Sequence, residues 1–180
     1  SADTTLYADG ISIVWHLHRQ GFSAVKLAGC DLWVSLVERA ALKNLPILLL
    51  GASEDVSRKT ASKITNEFGA KQLSRMNGYD YSEQDIFRLI QQIRPALVTV
   101  ALGSPSQEYL IQRLYEHYPH ALYMGVGGSY DVYVGKLRRA PDWMIRANIE
   151  FIFRLVQQPA RIRRQIKLLK FFWLALIGKI

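Results

Sequence analysis

The sequence predicts an α/β fold, a Rossmann-like, doubly wound domain with a mostly parallel sheet, followed by a C-terminal amphipathic helical appendage. Three observations carry that expectation. Short continuous apolar runs recur along the first 150 residues, the pattern of strands buried on both faces of a parallel sheet. Each run closes at a glycine and leads toward a helix, so the unit that repeats is strand, small-residue turn, helix. Residues 151–180 differ in kind, with seven Lys or Arg and no Asp or Glu. The expected division is therefore an α/β core over 1–150 and a basic appendage over 151–180.

Taken in order, Leu6-Tyr7-Ala8 leads into the turn signal Asp9-Gly10, and Ile11–Trp15 fits either a strand or the start of a helix. On residue type alone, Asp9 reads as a cap that accepts a backbone N–H. Asp31 holds a similar cap position before 32–37, whose spacing predicts a helix ending near Asn44. Pro46–Leu50 is a buried strand closed by Gly51-Ala52, and Ser53-Glu54-Asp55 opens the next helix. The pattern returns at Ala96–Leu102, then Gly103, then Ser104–Glu108, with Pro105 suited to the first helical turn. Ala121–Met124 begins a third unit, followed by Gly125-Val126-Gly127-Gly128.

In folds of this kind ligands bind beyond the carboxyl ends of the strands. Gly51–Glu54, Gly103–Glu108 and Gly125–Asp131 are thus candidate binding loops, because glycine admits close backbone approach and the free N–H groups of a following helix attract phosphate. Gly51, Gly103 and Gly127 mark them. None has the spacing of a phosphate-binding loop of nucleoside triphosphatases or of GxGxxG, which disfavours those enzyme classes. Gln107-Glu108 at a helix start suits hydrogen bonding to a sugar or base, although Glu there also answers the helix dipole.

Metal chemistry finds little support. His16 and His18, and His117 and His120, have no Cys or carboxylate neighbours that complete a ligand set, so neither a metal nor another cofactor is expected. The single cysteine, Cys30, excludes an intramolecular disulfide and fits a reducing compartment.

Charge is concentrated in the tail. Of 23 basic and 15 acidic residues, 151–180 takes seven basic and no acidic ones, leaving 16 against 15 before it. At about 100° per residue, Ile162, Ile166, Leu169, Trp173 and Leu176 share one helical face and Arg163, Arg164, Lys167 and Lys170 another. That is the pattern of a helix lying in a membrane interface, with a helix docked on the protein as the alternative. The apolar run 171–177 falls well short of the roughly 20 residues needed to span a bilayer. A face of Trp, Phe and Leu suits acyl chains better than nucleic acid, and exposed apolar surface of this sort would support self-association into a homo-oligomer. Arg154, Arg161 and Arg164 precede or enter this stretch, and their forks suit diphosphates.

The motifs Tyr7-Ala8-Asp9-Gly10, Ala28-Gly29-Cys30-Asp31-Leu32, Leu102–Glu108, Gly125–Asp131, Arg139-Ala140-Pro141, Ile149–Leu155 and Pro159–Arg164 occur in the order seen in the WecG/TagA/CpsF glycosyltransferases, and the chain resembles that family over nearly its whole length. The resemblance implies inverting, metal-independent transfer of a hexose-type residue from a UDP-sugar to a polyprenyl-diphosphate-linked sugar, by a peripheral protein at the cytoplasmic face of the bacterial inner membrane. It implies Asp9 as general base, Gln107 as a pocket residue, and Arg154, Arg161 and Arg164 as part of the active site. Lys26 stands where the family often has Arg, keeping the charge without the bidentate fork, and Phe151 stands where it often has Trp. Family members usually begin further upstream, so the core is expected to lack an N-terminal segment. A membrane-associated nucleotide- or glycolipid-binding protein without chemistry is the alternative reading.

Overall fold

The computed structural model describes residues 14, 17–23, 27–79, 81–146 and 150–157. These fall into two compact units, one spanning Gly29–Arg138 and the other made of the described residues before and after it.

The larger unit runs α1 (Gly29–Leu42), β1 (Ile47–Gly51), α2 (Glu54–Phe68), β2 (Leu73–Met76), α3 (Glu83–Ile93), β3 (Leu97–Ala101), α4 (Ser106–His117), β4 (Leu122–Gly125) and α5 (Ser129–Tyr133). Its four strands pair in parallel in the order β2-β1-β3-β4. The α/β, Rossmann-like expectation holds. Every residue of β1 and β3 is buried, which is why β1 reads as an unbroken apolar run and β3 as one interrupted only by Thr99.

Side chains alternate across a strand, so the two central strands feed two cores. Leu48, Leu50, Val98 and Val100 pack with Ile86 and Ile90 of α3 and Leu110 and Leu114 of α4. On the opposite face, Thr99 meets Tyr130 of α5, whose ring lies 5.1 Å from that of Trp33 on α1. Tyr133 ties α5 to α2, since its hydroxyl donates to Glu67 Oε2 and its carbonyl accepts from Lys63 Nζ at 2.8 Å. The chain therefore moves outward from β1 to β2 through a helix on one face and returns across β1 to β3 and β4 through helices on the other. Right-handed crossovers require that change of face when the direction of travel reverses.

Three details differ from the sequence reading. Helix α1 begins at Gly29, so Asp31 lies inside its first turn and answers the dipole instead of capping. Pro105 precedes α4 as its N-cap and is not within its first turn. Between the anticipated units lies another, β2 with α3. Edge strand β2 (Leu-Ser-Arg-Met) is only half-buried and so has no apolar run, and α3 is fixed by a capping box in which Ser82 and Asp85 bond each other's backbone N–H.

The smaller unit contains α6 (Asp142–Arg146) and α7 (Glu150–Gln157). Arg154 falls within α7; the remainder of the anticipated interfacial helix, 158–180, lies outside the described residues. No helix among the described residues is long and apolar enough to cross a membrane.

The hydroxyl of Tyr130 is fully buried; it bonds Thr99 Oγ1 and donates to Thr99 O at 3.1 Å. Burial pushes the phenol's pKa up, so it stays protonated and available as a donor. Tyr130→Phe strands the buried Thr99 hydroxyl, and unfolding in urea should show a loss of about 1–3 kcal/mol. Adding Thr99→Val should recover part of that loss. An unaltered midpoint in Tyr130→Phe would show that this pair does not hold α5 to the sheet.

Candidate active site

Strand order places the reversal of direction between β1 and β3, and the carboxyl ends of these two strands are where an open α/β sheet leaves room for a ligand. The loops there are drawn tightly together. Gly51 ends β1 at φ +101°, and a Cβ on it would lie 2.6 Å from the carbonyl oxygen of Ala101 at the end of β3. Only glycine accepts both conditions. The next residue, Ala52, then donates its N–H to Ala101 O at 2.9 Å, and its own carbonyl accepts from Gly78 N at 2.8 Å. Gly78 lies just beyond β2. A Cβ there would sit 3.1 Å from both Ala52 O and Leu102 Cδ2, so the turn after β2 is seated directly on the turns after β1 and β3.

Around this junction opens a cleft of about 340 Å³ lined by Ala52, Gly78, Tyr79, Tyr81, Ala101, Leu102 and Ser106. Its size falls in the range of small-ligand sites. Small residues, two tyrosines and Leu102 make up most of the lining, and Ser106 adds a polar residue. None of these lining residues is charged. Tyr79 is 78% exposed, a ring held out at the mouth, whereas Tyr81 is half-buried and its phenol is pushed up by that burial and by nearby Glu83.

The helix starts beside the cleft carry carboxylates. Glu54 and Asp55 occupy the first turn of α2, and Glu108 that of α4. Hydrogen bonds from Arg75 and then from Asn77 hold the Glu54 carboxyl down to about 2, so it is ionised at neutral pH. Fixed negative charge in the first turn offsets the dipole that would draw a diphosphate, so these termini are less suited to phosphate than their glycine turns alone suggest.

The glycine turn after β4 is organised by Gln107. Its side chain is buried, Oε1 accepts from Gly127 N at 2.9 Å, and Nε2 donates to Glu108 Oε1 at 2.9 Å. A Cβ on Gly125 would stand 2.6 Å from Gln107 Nε2. Gln107 thus braces the β4–α5 turn against α4 and retains one amide hydrogen beyond the Glu108 bond.

Of the residues singled out in the sequence, Gly51 ends β1, Gly103 and Gly127 lie in the loops after β3 and β4, and Gln107 lies in the first turn of α4, all at the carboxyl end of the sheet. Arg154 lies in α7 of the other unit, while Asp9, Lys26, Arg161 and Arg164 lie outside the described residues. Sequence reading missed the β2–α3 loop with Asn77, Gly78, Tyr79 and Tyr81, although Asn77-Gly78 is itself a turn signal. Among the described residues there is no group of three His, Cys, Asp or Glu able to hold a metal ion.

Gly51→Ala tests the junction. It adds a methyl against backbone and an L side chain at positive φ, so the unfolding free energy should drop by about 2 kcal/mol or more. Wild-type stability in that variant would mean that the β1 and β3 turns do not meet as described.

The parallel sheet with its ligand cleft at strand ends is an architecture many enzymes share, and architecture does not name a reaction. The family does. The model of the Glycosyl transferase WecG/TagA/CpsF family matches residues 1–180, the full span of the sequence, and the chain belongs to that family: it is a glycosyltransferase of cell-surface polysaccharide synthesis.

Proposed function

We propose that this transferase moves a sugar of the N-acetylmannosamine, N-acetylmannosaminuronate or glucose type from a UDP-sugar to a polyprenyl-diphosphate-linked sugar, with inversion and without a metal, at the cytoplasmic face of the bacterial inner membrane. The observation that carries the donor assignment is the uncharged, tyrosine-walled cleft at the β1/β3 reversal. A flat, neutral nucleobase gains from stacking on aromatic rings and from the small lining residues, while a lining with no cationic side chain gives a diphosphate less. The nucleoside end of the donor goes into the cleft, and Lys26, Arg154, Arg161 and Arg164 supply the positive charge that its diphosphate needs.

In this reading Asp9 takes the proton from the acceptor hydroxyl as that oxygen attacks the anomeric carbon. The carbon–oxygen bond to UDP breaks on the opposite side, and UDP leaves with its charge neutralised by the basic residues. Gly51, Gly103 and Gly127 shape the turns that admit the donor, and Gln107 offers its remaining amide hydrogen to donor or acceptor. The excess of basic residues in 151–180 brings the protein to an anionic membrane surface where a lipid-linked acceptor resides.

The test is transfer itself. Purified protein given a UDP-sugar and a polyprenyl-diphosphate-linked sugar should form a product heavier by one sugar residue, detected by mass, and Asp9→Asn should slow that reaction about a hundredfold or more while leaving UDP binding intact. Near-normal turnover in Asp9→Asn would remove Asp9 as base. UDP binding without transfer from any of the three donor types would favour the non-catalytic binder instead.

A further inference from the structure

The exposed ring of Tyr79 stands at the mouth of the cleft with little packing of its own, so its position must come from the backbone that carries it. That backbone is tied down by a chain of polar contacts. Arg75, near the end of β2, grips Glu54 at the start of α2 with both guanidinium arms, at 2.9 Å and 2.5 Å. Asn77 Nδ2 donates to the same carboxylate at 3.1 Å, and Asn77 Oδ1 accepts the N–H of Tyr79 at 2.9 Å. Gly78, between them, is held by Ala52 O at 2.8 Å. The route runs from strand β2 through the first turn of α2 to the wall of the cleft.

As a device for global stability this arrangement is a poor one. The side chains of Glu54 and Arg75 are 54% and 29% exposed, and a solvent-screened pair of that kind typically contributes little to stability. Its geometry, two-pronged and shared with an amide whose other end holds a turn, is better suited to fixing direction. We infer that Glu54, Arg75 and Asn77 are positioning residues for the donor, holding the 77–79 turn so that Tyr79 is presented to the nucleoside half of the substrate. None of the three needs to touch the donor. This inference rests on the reading of the cleft as the donor site.

Two measurements on the purified full chain test it, with Glu54→Gln and Asn77→Ala as variants and Asp55→Asn as the control. Asp55 forms exposed ion pairs with Arg58 and Lys59 on the same helical turn and has no link to the 77–79 turn, so it reports what losing a surface carboxylate does by itself. Hydrogen exchange at the amides of Gly78 and Tyr79 needs no substrate. It should quicken about tenfold in both variants and stay at the wild-type rate in Asp55→Asn. In the transfer assay, the donor KM should rise about tenfold in both variants with a smaller fall in kcat, and stay unchanged in the control. Unaltered exchange at 78–79 overturns the inference. So does quicker exchange with an unchanged donor KM, because the turn would then be held for its own sake. Wild-type protein that neither binds UDP nor transfers a sugar overturns the reading of the site, a failure told apart by its appearance before any substitution is made.

Discussion

The close approach of two backbones at the ends of β1 and β3 is the constraint on which the rest of the site depends. Gly51 lets the chain turn at positive φ directly over Ala101, and the absence of a side chain there permits Ala52 to bond the opposing carbonyl. Once those turns are joined, Gly78 can settle onto them, and three loops from separate βα units share one floor. Parallel strands alone would leave those loops to splay, because nothing in the ladder reaches past the last strand residue. The reversal of strand order supplies the opening, and the glycines keep the floor low enough to make it a cleft.

Electrostatics divides the labour between regions of the chain. The described cleft residues are uncharged, and the nearest helix starts hold carboxylates, two of them committed to arginine or lysine partners. Such a surface favours the neutral part of a nucleotide sugar and leaves the anionic part for other residues to meet. The sequence places its surplus of positive charge in 151–180, far along the chain from the strand-end loops.

Much of the fold was legible because strands buried on both faces, as β1 and β3 are, take mostly apolar residues, and edge strand β4 also keeps an apolar run. Strands β1, β3 and β4 follow from their apolar runs and glycine ends with boundaries shifted by a residue or so. Strand β2 was not legible for the complementary reason: at the sheet edge, Ser74 and Arg75 are tolerated, and Arg75 is placed there for its contact with Glu54. Gly51, Gly103 and Gly127 could be picked out because turn chemistry is local. The part played by Asn77 and Tyr79 could not, since it comes from partners more than twenty residues away in sequence, Glu54 and Ala52. Gln107 lies between these cases. Its type and place suggested a polar contact, whereas its bond to Gly127 shows that half of its amide is spent on bracing a neighbouring turn. For Asp9, Lys26, Arg161 and Arg164 the motifs speak and the described residues do not.

The central claim is that the cleft at the β1/β3 reversal takes the nucleoside end of the donor. Photolabelling with 5-azido-UDP, followed by peptide mapping, tests it most directly, because the reactive nitrogen sits on the base itself. The account predicts labelling within 77–81 or 102–106, suppressed by excess UDP. Labelling confined to other segments, competed by UDP in the same way, would contradict it.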